Sequence, residues 1–288
     1  MKPPLRRWIG HPLEAAAIGL VFLLLRLLPL DAASALGGRV GRAVGPRLRV
    51  SDRARGNLAR ALPGLAPEPV LADMWENLGR TMAEYPHLDQ VLRERVEIVG
   101  LAHVHAMRDD GKPGIFWSGH LANWEVMPIV AAREGVPLTN IYRAANNPLV
   151  DRLIRWARRV NTGTLVPKGS AGARLAMAAL KRGAHLGMLV DQKMNDGIPV
   201  PFFGRPAMTA PALAQLALRY DCPIVAARIE RLQGARFRLT VEPPVLLPRS
   251  GDRDADVAQA MAAVNATLQA WIAERPAQWL WLHKRWPD

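Results

Sequence analysis

His120 and Glu125 are the side chains whose types and spacing most directly suggest chemistry, within Ser118-Gly119-His120-Leu121-Ala122-Asn123-Trp124-Glu125. An imidazole exchanges protons near neutral pH, and a carboxylate beside it fixes one tautomer and stabilises the imidazolium that forms. Such a pair is a general base with its orienter, and it needs no protein nucleophile. On one regular helix this offset would turn the two residues about 140° apart. His120 is therefore expected in a turn, folding back over the first helical turn to meet Glu125, with Gly119 letting a ligand approach the backbone. The competing reading makes His120 a cap and Glu125 a complement to the helix dipole. Of the other histidines, His103 and His105 could share a strand face and bind metal, a poor match with no cysteine nearby and no third ligand, and His11, His87, His185 and His283 read as packing or surface residues. One cysteine, Cys222, excludes an intramolecular disulfide and any multi-cysteine metal site.

The elements that would position this motif follow from hydrophobic patterning. Residues 114–118 read as a buried strand, so His120 falls where a strand gives way to a helix, a common place for reactive groups in α/β folds. Further strands are expected near 140–142, 186–190, 224–229 and 237–241. Asn147-Pro148 predicts the start of a helix running to about residue 160. Ser170 is expected to cap a helix to Arg182, Thr209 one to Tyr220, and a last helix covers about 254–273. Residues 51–84 read as two helices broken at Pro63-Gly64. Asp191-Gln192 ends a buried strand as His120 does, which suits a pocket wall or a plain turn.

The chain has 288 residues, half of them hydrophobic, and a net charge of +13. Residues 1–60 hold eleven Lys/Arg against three acids, beside an apolar stretch at 13–30 interrupted by Glu14, Arg26 and Pro29. Its uncharged core, 15–25, is short of the roughly 20 residues that span hydrocarbon. Spanning with snorkelling ends, insertion in the plane of the interface, and a signal peptide (Lys2, Arg6, Arg7, then Ala33-Ser34-Ala35) are the three readings; the basic residues that follow argue against export. Basic flanks attract anionic headgroups. Nucleic acid is a poorer match, for want of a zinc finger, an RNA-recognition signature or an aromatic-interleaved basic stripe. Two units are expected: an N-terminal membrane-anchoring or interfacial helix, 1–35, and a catalytic domain, 36–288.

At this level of detail the sequence resembles the late acyltransferases of lipid A biosynthesis, of the lauroyl and myristoyl type, within the wider His-x4-Asp/Glu glycerolipid acyltransferases. The resemblance rests on Arg53-Ala54-Arg55-Gly56-Asn57-Leu58, the 118–125 stretch, Tyr142-Arg143 with Asn146-Asn147-Pro148, Asp191-Gln192, Pro201-Phe202-Phe203-Gly204 with Thr209, and the ending Pro276-Ala277-Gln278-Trp279-Leu280-Trp281-Leu282-His283-Lys284-Arg285-Trp286, in that order. It implies an α/β fold with a central mixed sheet flanked by helices. It also implies transfer of an acyl chain from acyl carrier protein to a hydroxyl of a Kdo-bearing lipid A precursor on the cytoplasmic face of the inner membrane, with no metal or organic cofactor.

In that reading His120 is the base and Glu125 its orienter. Arg143 or the backbone N–H groups around Gly204 would stabilise the oxyanion. Asn123, Arg143, Asn146, Lys168, Arg174, Asp191, Gln192, Phe203 and Gly204 would bind substrate. The short apolar run departs from the family pattern and leaves interfacial attachment open beside spanning. Acylation of another glycolipid or of a lysolipid, hydrolysis by an activated water, and a non-catalytic protein that holds anionic lipid are the alternative functions.

Overall fold

The computed structural model describes residues 9–286. Nine strands form, β1 (Val96–Val99), β2 (Ile115–Ser118), β3 (Leu138–Tyr142), β4 (Thr164–Pro167), β5 (His185–Leu189), β6 (Lys193–Phe202), β7 (Arg205–Thr209), β8 (Ile224–Arg231) and β9 (Phe237–Val241). Seven of them make one sheet in the order β1-β9-β8-β2-β5-β3-β4, parallel except for the antiparallel β8–β9 pair. This is the mixed sheet expected. All four residues of β2 are buried, because the sheet is covered on both faces there. β6 and β7 form a separate antiparallel hairpin.

Eleven helices surround the sheet: α1 (His11–Leu27), α2 (Leu30–Val44), α3 (Val50–Ala61), α4 (Pro67–Glu84), α5 (Leu88–Glu94), α6 (Leu101–Asp109), α7 (Val126–Arg133), α8 (Pro148–Ala157), α9 (Ser170–Lys181), α10 (Ala212–Tyr220) and α11 (Arg253–Glu274). One core packs Trp117, α9, α10 and α11 against the tryptophans Trp279, Trp281 and Trp286. A second packs Val104, Met107, Val126 and Val130 against Phe116 and β8–β9, and a small third joins Tyr85, Leu88, Ile129 and Ala157.

Side-chain capping marks the start of two helices. Asn147 caps α8 by accepting from Leu149 N–H at 3.0 Å, and Asp252 caps α11 through Asp254 and Ala255. Three expectations are corrected. Thr209 closes β7 rather than capping α10, its hydroxyl held by Ala207 O, Asn265 and Arg285. Ser170 makes no capping hydrogen bond. His103 and His105 lie on helix α6, not on a strand, and His105 meets Glu134.

The N-terminal helices are built differently. A Cβ on Gly37 would stand 2.4 Å from Gly79 O, and one on Gly79 would stand 2.1 Å from Gly37 O, so α2 and α4 touch backbone to backbone. Gly79→Ala is expected to lose about 1–3 kcal/mol to overpacking, despite roughly 1 kcal/mol of better helix propensity, as a urea titration would record. The expected domain boundary at residue 35 falls inside α2, and Ala33 and Ser34 of the supposed cleavage site are buried in that contact. The basic n-region, Lys2 to Arg7, lies outside the described residues.

Helix α1 follows the apolar stretch but buries no residue, exposing Leu13, Leu20, Leu23, Leu24 and Leu27. No helix among the described residues is long and apolar enough to cross a membrane.

Candidate active site

The turn between β2 and α7 is shaped by close contacts at four points. A Cβ on Gly119 would stand 2.9 Å from Leu268 Cδ1, so a side chain there would require that buried leucine to shift. Ala122 adopts φ +46°, a left-handed conformation that costs an L residue roughly 1–2 kcal/mol. Its carbonyl accepts from Thr81 Oγ1 at 3.1 Å and Asn77 Nδ2 at 3.3 Å, both on α4, while its N–H donates to Gln278 O at 2.8 Å. The N–H of Leu280 donates to His120 O at 3.1 Å. Asn123 completes the hold by donating to Glu84 Oε2 at 2.9 Å, and Glu84 is itself paired with buried Arg231.

These contacts place His120 in the turn, as its spacing predicts, and aim it at Asp191. Nδ1 lies 2.7 Å from Asp191 Oδ1, and the His120 backbone N–H donates to Oδ2 at 2.8 Å. Trp279 Nε1 donates to Oδ2 at 2.8 Å. Burial alone would push the Asp191 carboxyl upward, but His120 outweighs it through charge and hydrogen bonds, with His283 adding to it, and holds Asp191 well below the usual carboxylate range. An ionised Asp191 only accepts, so the ring proton sits on Nδ1 and Nε2 presents a lone pair. The rings of Trp124 and His283 stand edgewise to His120 with centroids 5.2 and 5.0 Å away. Burial drives the His283 imidazole down to about 4, with help from His120, Lys168 and Arg285 against the opposing pull of Asp191, so it is neutral at pH 7. His120, Asp191 and His283 bring ligand-type atoms within 4.8 Å of one another. Both Asp191 oxygens are already engaged by N–H donors, which makes the cluster a hydrogen-bonded dyad with a neighbouring imidazole.

Glu125 does not meet His120. Helix α7 begins only at Val126, so no helical turn lies between the two residues to fold the imidazole over. The Glu125 carboxylate instead accepts from Tyr85 Oη at 2.8 Å and from both Nε and Nη2 of Arg158, the Nε contact at 2.7 Å. Burial opposes the Arg158 charge, yet Glu125 and Tyr85 hold its pKa above the ordinary arginine value. In this geometry Asp191 orients the His120 imidazole, and Glu125 anchors the start of α7 to Arg158 at the end of α8.

Beside His120 lies a cavity of about 1080 Å³. Met127, Pro128, Ile141, Ile154, Leu165, Met188 and Val190 give it apolar walls, and Arg143, Asn146, Lys168 and Gln192 add polar groups. Burial and the neighbouring Arg143 lower the Lys168 pKa, although Asp191 opposes them. Asn123 and Asp191 are fully buried and support the turn rather than line the wall. Arg174 is exposed on α9 and does not line the cavity. Nor do Phe203 and Gly204, which form the β6–β7 turn; the Phe203 ring packs on Trp281 and Trp286. Sequence reasoning missed Tyr85, Trp124, Arg158 and His283. Trp124, inside the 118–125 motif, and His283, inside the tryptophan-rich ending, each carried a signal, whereas Arg158 had none.

A carboxylate-held imidazole at a strand end, opening on an apolar cavity in a mixed α/β sheet, has the make-up of an acyltransferase. The model of the bacterial lipid A biosynthesis acyltransferase family matches residues 8–288, and the chain belongs to that family. It is 23% identical over 278 residues to a lipid A biosynthesis acyltransferase of Haemophilus influenzae, covering 92% of this chain and 85% of that protein. It is 26% identical over 204 residues to the lipid A biosynthesis lauroyltransferase of Escherichia coli, covering 68% and 63%.

Proposed function

We propose that the protein moves a fatty acyl chain from an acyl carrier protein thioester to a hydroxyl of a lipid A precursor at the cytoplasmic face of the inner membrane. The observation that carries this reading is the His120–Asp191 pair, whose Nε2, on the ring edge away from Asp191, belongs to a residue lining the 1080 Å³ apolar cavity. Nε2 takes the proton of the acceptor hydroxyl as its oxygen attacks the thioester carbonyl, and Asp191 stabilises the imidazolium. The tetrahedral intermediate collapses with loss of the thiolate, which recovers the proton from Nε2. Apolar walls suit the acyl chain, and the exposed cations Arg143 and Lys168 suit a phosphorylated acceptor.

Interfacial attachment through α1 and α2 fits this chemistry. The exposed leucines of α1 continue into Leu36, Val40 and Val44 of α2, with Arg39, Arg42 and Arg47 nearby. Helix α1 also packs on α8, whose Ile154 lines the cavity, and Asn147 Nδ2 ties the two by donating to His11 O and Glu14 Oε2. A lipid held in the plane of the interface would thus meet the cavity wall directly.

The test is to incubate detergent-solubilised protein with acyl-loaded carrier protein and a Kdo-modified lipid A precursor, alongside a lysophospholipid, and to weigh the lipid products. One acyl increment on the lipid A precursor, absent with His120→Ala, is the expected result. Acylation of the lysophospholipid alone would overturn the acceptor, and free fatty acid as the sole product would replace transfer by hydrolysis.

A further inference from the structure

The amide of Gln192 has a direction imposed on it from outside the dyad. Lys168 Nζ lies 2.8 Å from Gln192 Oε1. An ammonium has only donors, so the oxygen end of the amide faces Lys168 and the NH2 end faces His120. Gln192 Nε2 lies 3.4 Å from His120 Nε2. Because Asp191 keeps the ring proton on Nδ1, that nitrogen offers a lone pair and the Gln192 N–H points at it. The attacking hydroxyl requires the same lone pair. Its arrival displaces the amide N–H from its partner, within reach of the reacting atoms, while Lys168 still prevents the amide from turning over. Gln192 also stands where the large cavity meets a smaller one of about 280 Å³ that it lines with Lys193, Asn195, His283 and Lys284.

We propose that Gln192 is the oxyanion donor of the acyl transfer, resting on the base nitrogen in the free protein and released by the acceptor hydroxyl, with Lys168 as its positioning residue. This rests on the acyl-transfer reading above. As the acceptor oxygen bonds to the thioester carbon, its proton passes to His120 Nε2 and the carbonyl π pair moves onto oxygen. That oxyanion accepts the Gln192 N–H. When the pair returns, the C–S bond breaks and the thiolate leaves with the proton from Nε2. Of the donors expected from the sequence, the backbone around Gly204 lies off the cavity wall, and Arg143 is an exposed group with no hydrogen bond to the dyad.

The experiment uses the full chain, acyl carrier protein thioester and the lipid acceptor that the wild type acylates. Gln192→Ala is expected to lower kcat about 10²- to 10³-fold with the acceptor KM little changed, since the donor acts only on charge that develops in the transition state. Gln192→Glu is expected to lose at least as much and to move the acid limb of the pH–rate profile to higher pH, because a carboxylate beside the imidazole favours its protonated form. Lys168→Met is expected to lose part of kcat, and Lys168→Arg to recover it, as a guanidinium again offers only donors. A packing role for Lys168 would give Lys168→Met and Lys168→Arg the same kcat. Transfer that His120→Ala abolishes and Gln192→Ala leaves within a few-fold of wild type overturns the role of Gln192 while the function stands; no transfer by the wild type overturns both.

Discussion

Asp191→Asn is expected to lower kcat by about 10⁴-fold while the chain stays folded, the penalty of presenting the wrong imidazole tautomer. The asparagine oxygen can still accept from the His120 backbone and Trp279 Nε1, both of which bond to Oδ2 in the wild type. Its NH2 end then faces His120 Nδ1, which must accept, and the ring proton moves to Nε2. A base that already carries its proton cannot take the acceptor's. The change also removes a source of acid sensitivity. The native Asp191 carboxyl is held below its ordinary value of 3.8. A carboxyl with a lowered native pKa contributes stability that is complete above the unfolded value and lost as pH falls through the native one. Urea titrations should therefore show a shallower loss of stability below about pH 4 in Asp191→Asn than in wild type. A kcat within tenfold of wild type would return the orienting role to another group.

Arg158→Met is expected to destabilise the protein by about 3–5 kcal/mol, because it strands Glu125 in a site where that residue is 3% exposed. Only Tyr85 Oη would remain as its donor. Thermal melts would read this as a fall of about 10 °C in Tm, on the order expected for a chain of this size. The double change Arg158→Met with Glu125→Gln should recover much of the loss, since a neutral amide does not demand a counter-charge. If the single and double variants melted together, Glu125 would not depend on Arg158 in this way.

Local rules reach some of this architecture and stop at identifiable points. The strand at 237–241 and the start of α8 at Asn147-Pro148 were legible because alternation and capping are written in adjacent residues. Strands β1 and β4 escaped notice because each is only four residues long and half-exposed, so neither shows an unbroken apolar run. The hairpin β6–β7 carries Pro199, Pro201 and Pro206, which read as breakers in a segment that is paired all the same. At the site, His120 was found by its place at a strand end, and Asp191 by the same rule applied to a second strand. That the two meet depends on β2 and β5 being neighbours in register, with Ser118 opposite Leu189. No local signal encodes that pairing. Glu125 was the nearer carboxylate in sequence, and its true partner arrives from the end of α8, beyond the reach of any spacing argument.

The left-handed Ala122 also has a bearing on the order of events during synthesis. Its N–H and the carbonyl of His120 are both satisfied by the segment around Gln278 and Leu280, and Asp191 is bonded by Trp279 from that same segment. A chain made from its N-terminus folds its earlier parts first. The residues of the sheet and of the cavity wall therefore leave the ribosome before the contacts that aim His120 can be made. The contacts that aim the His120 imidazole thus come from a segment synthesised long after the turn they hold, and a chain stalled before Gln278 would carry that turn without them.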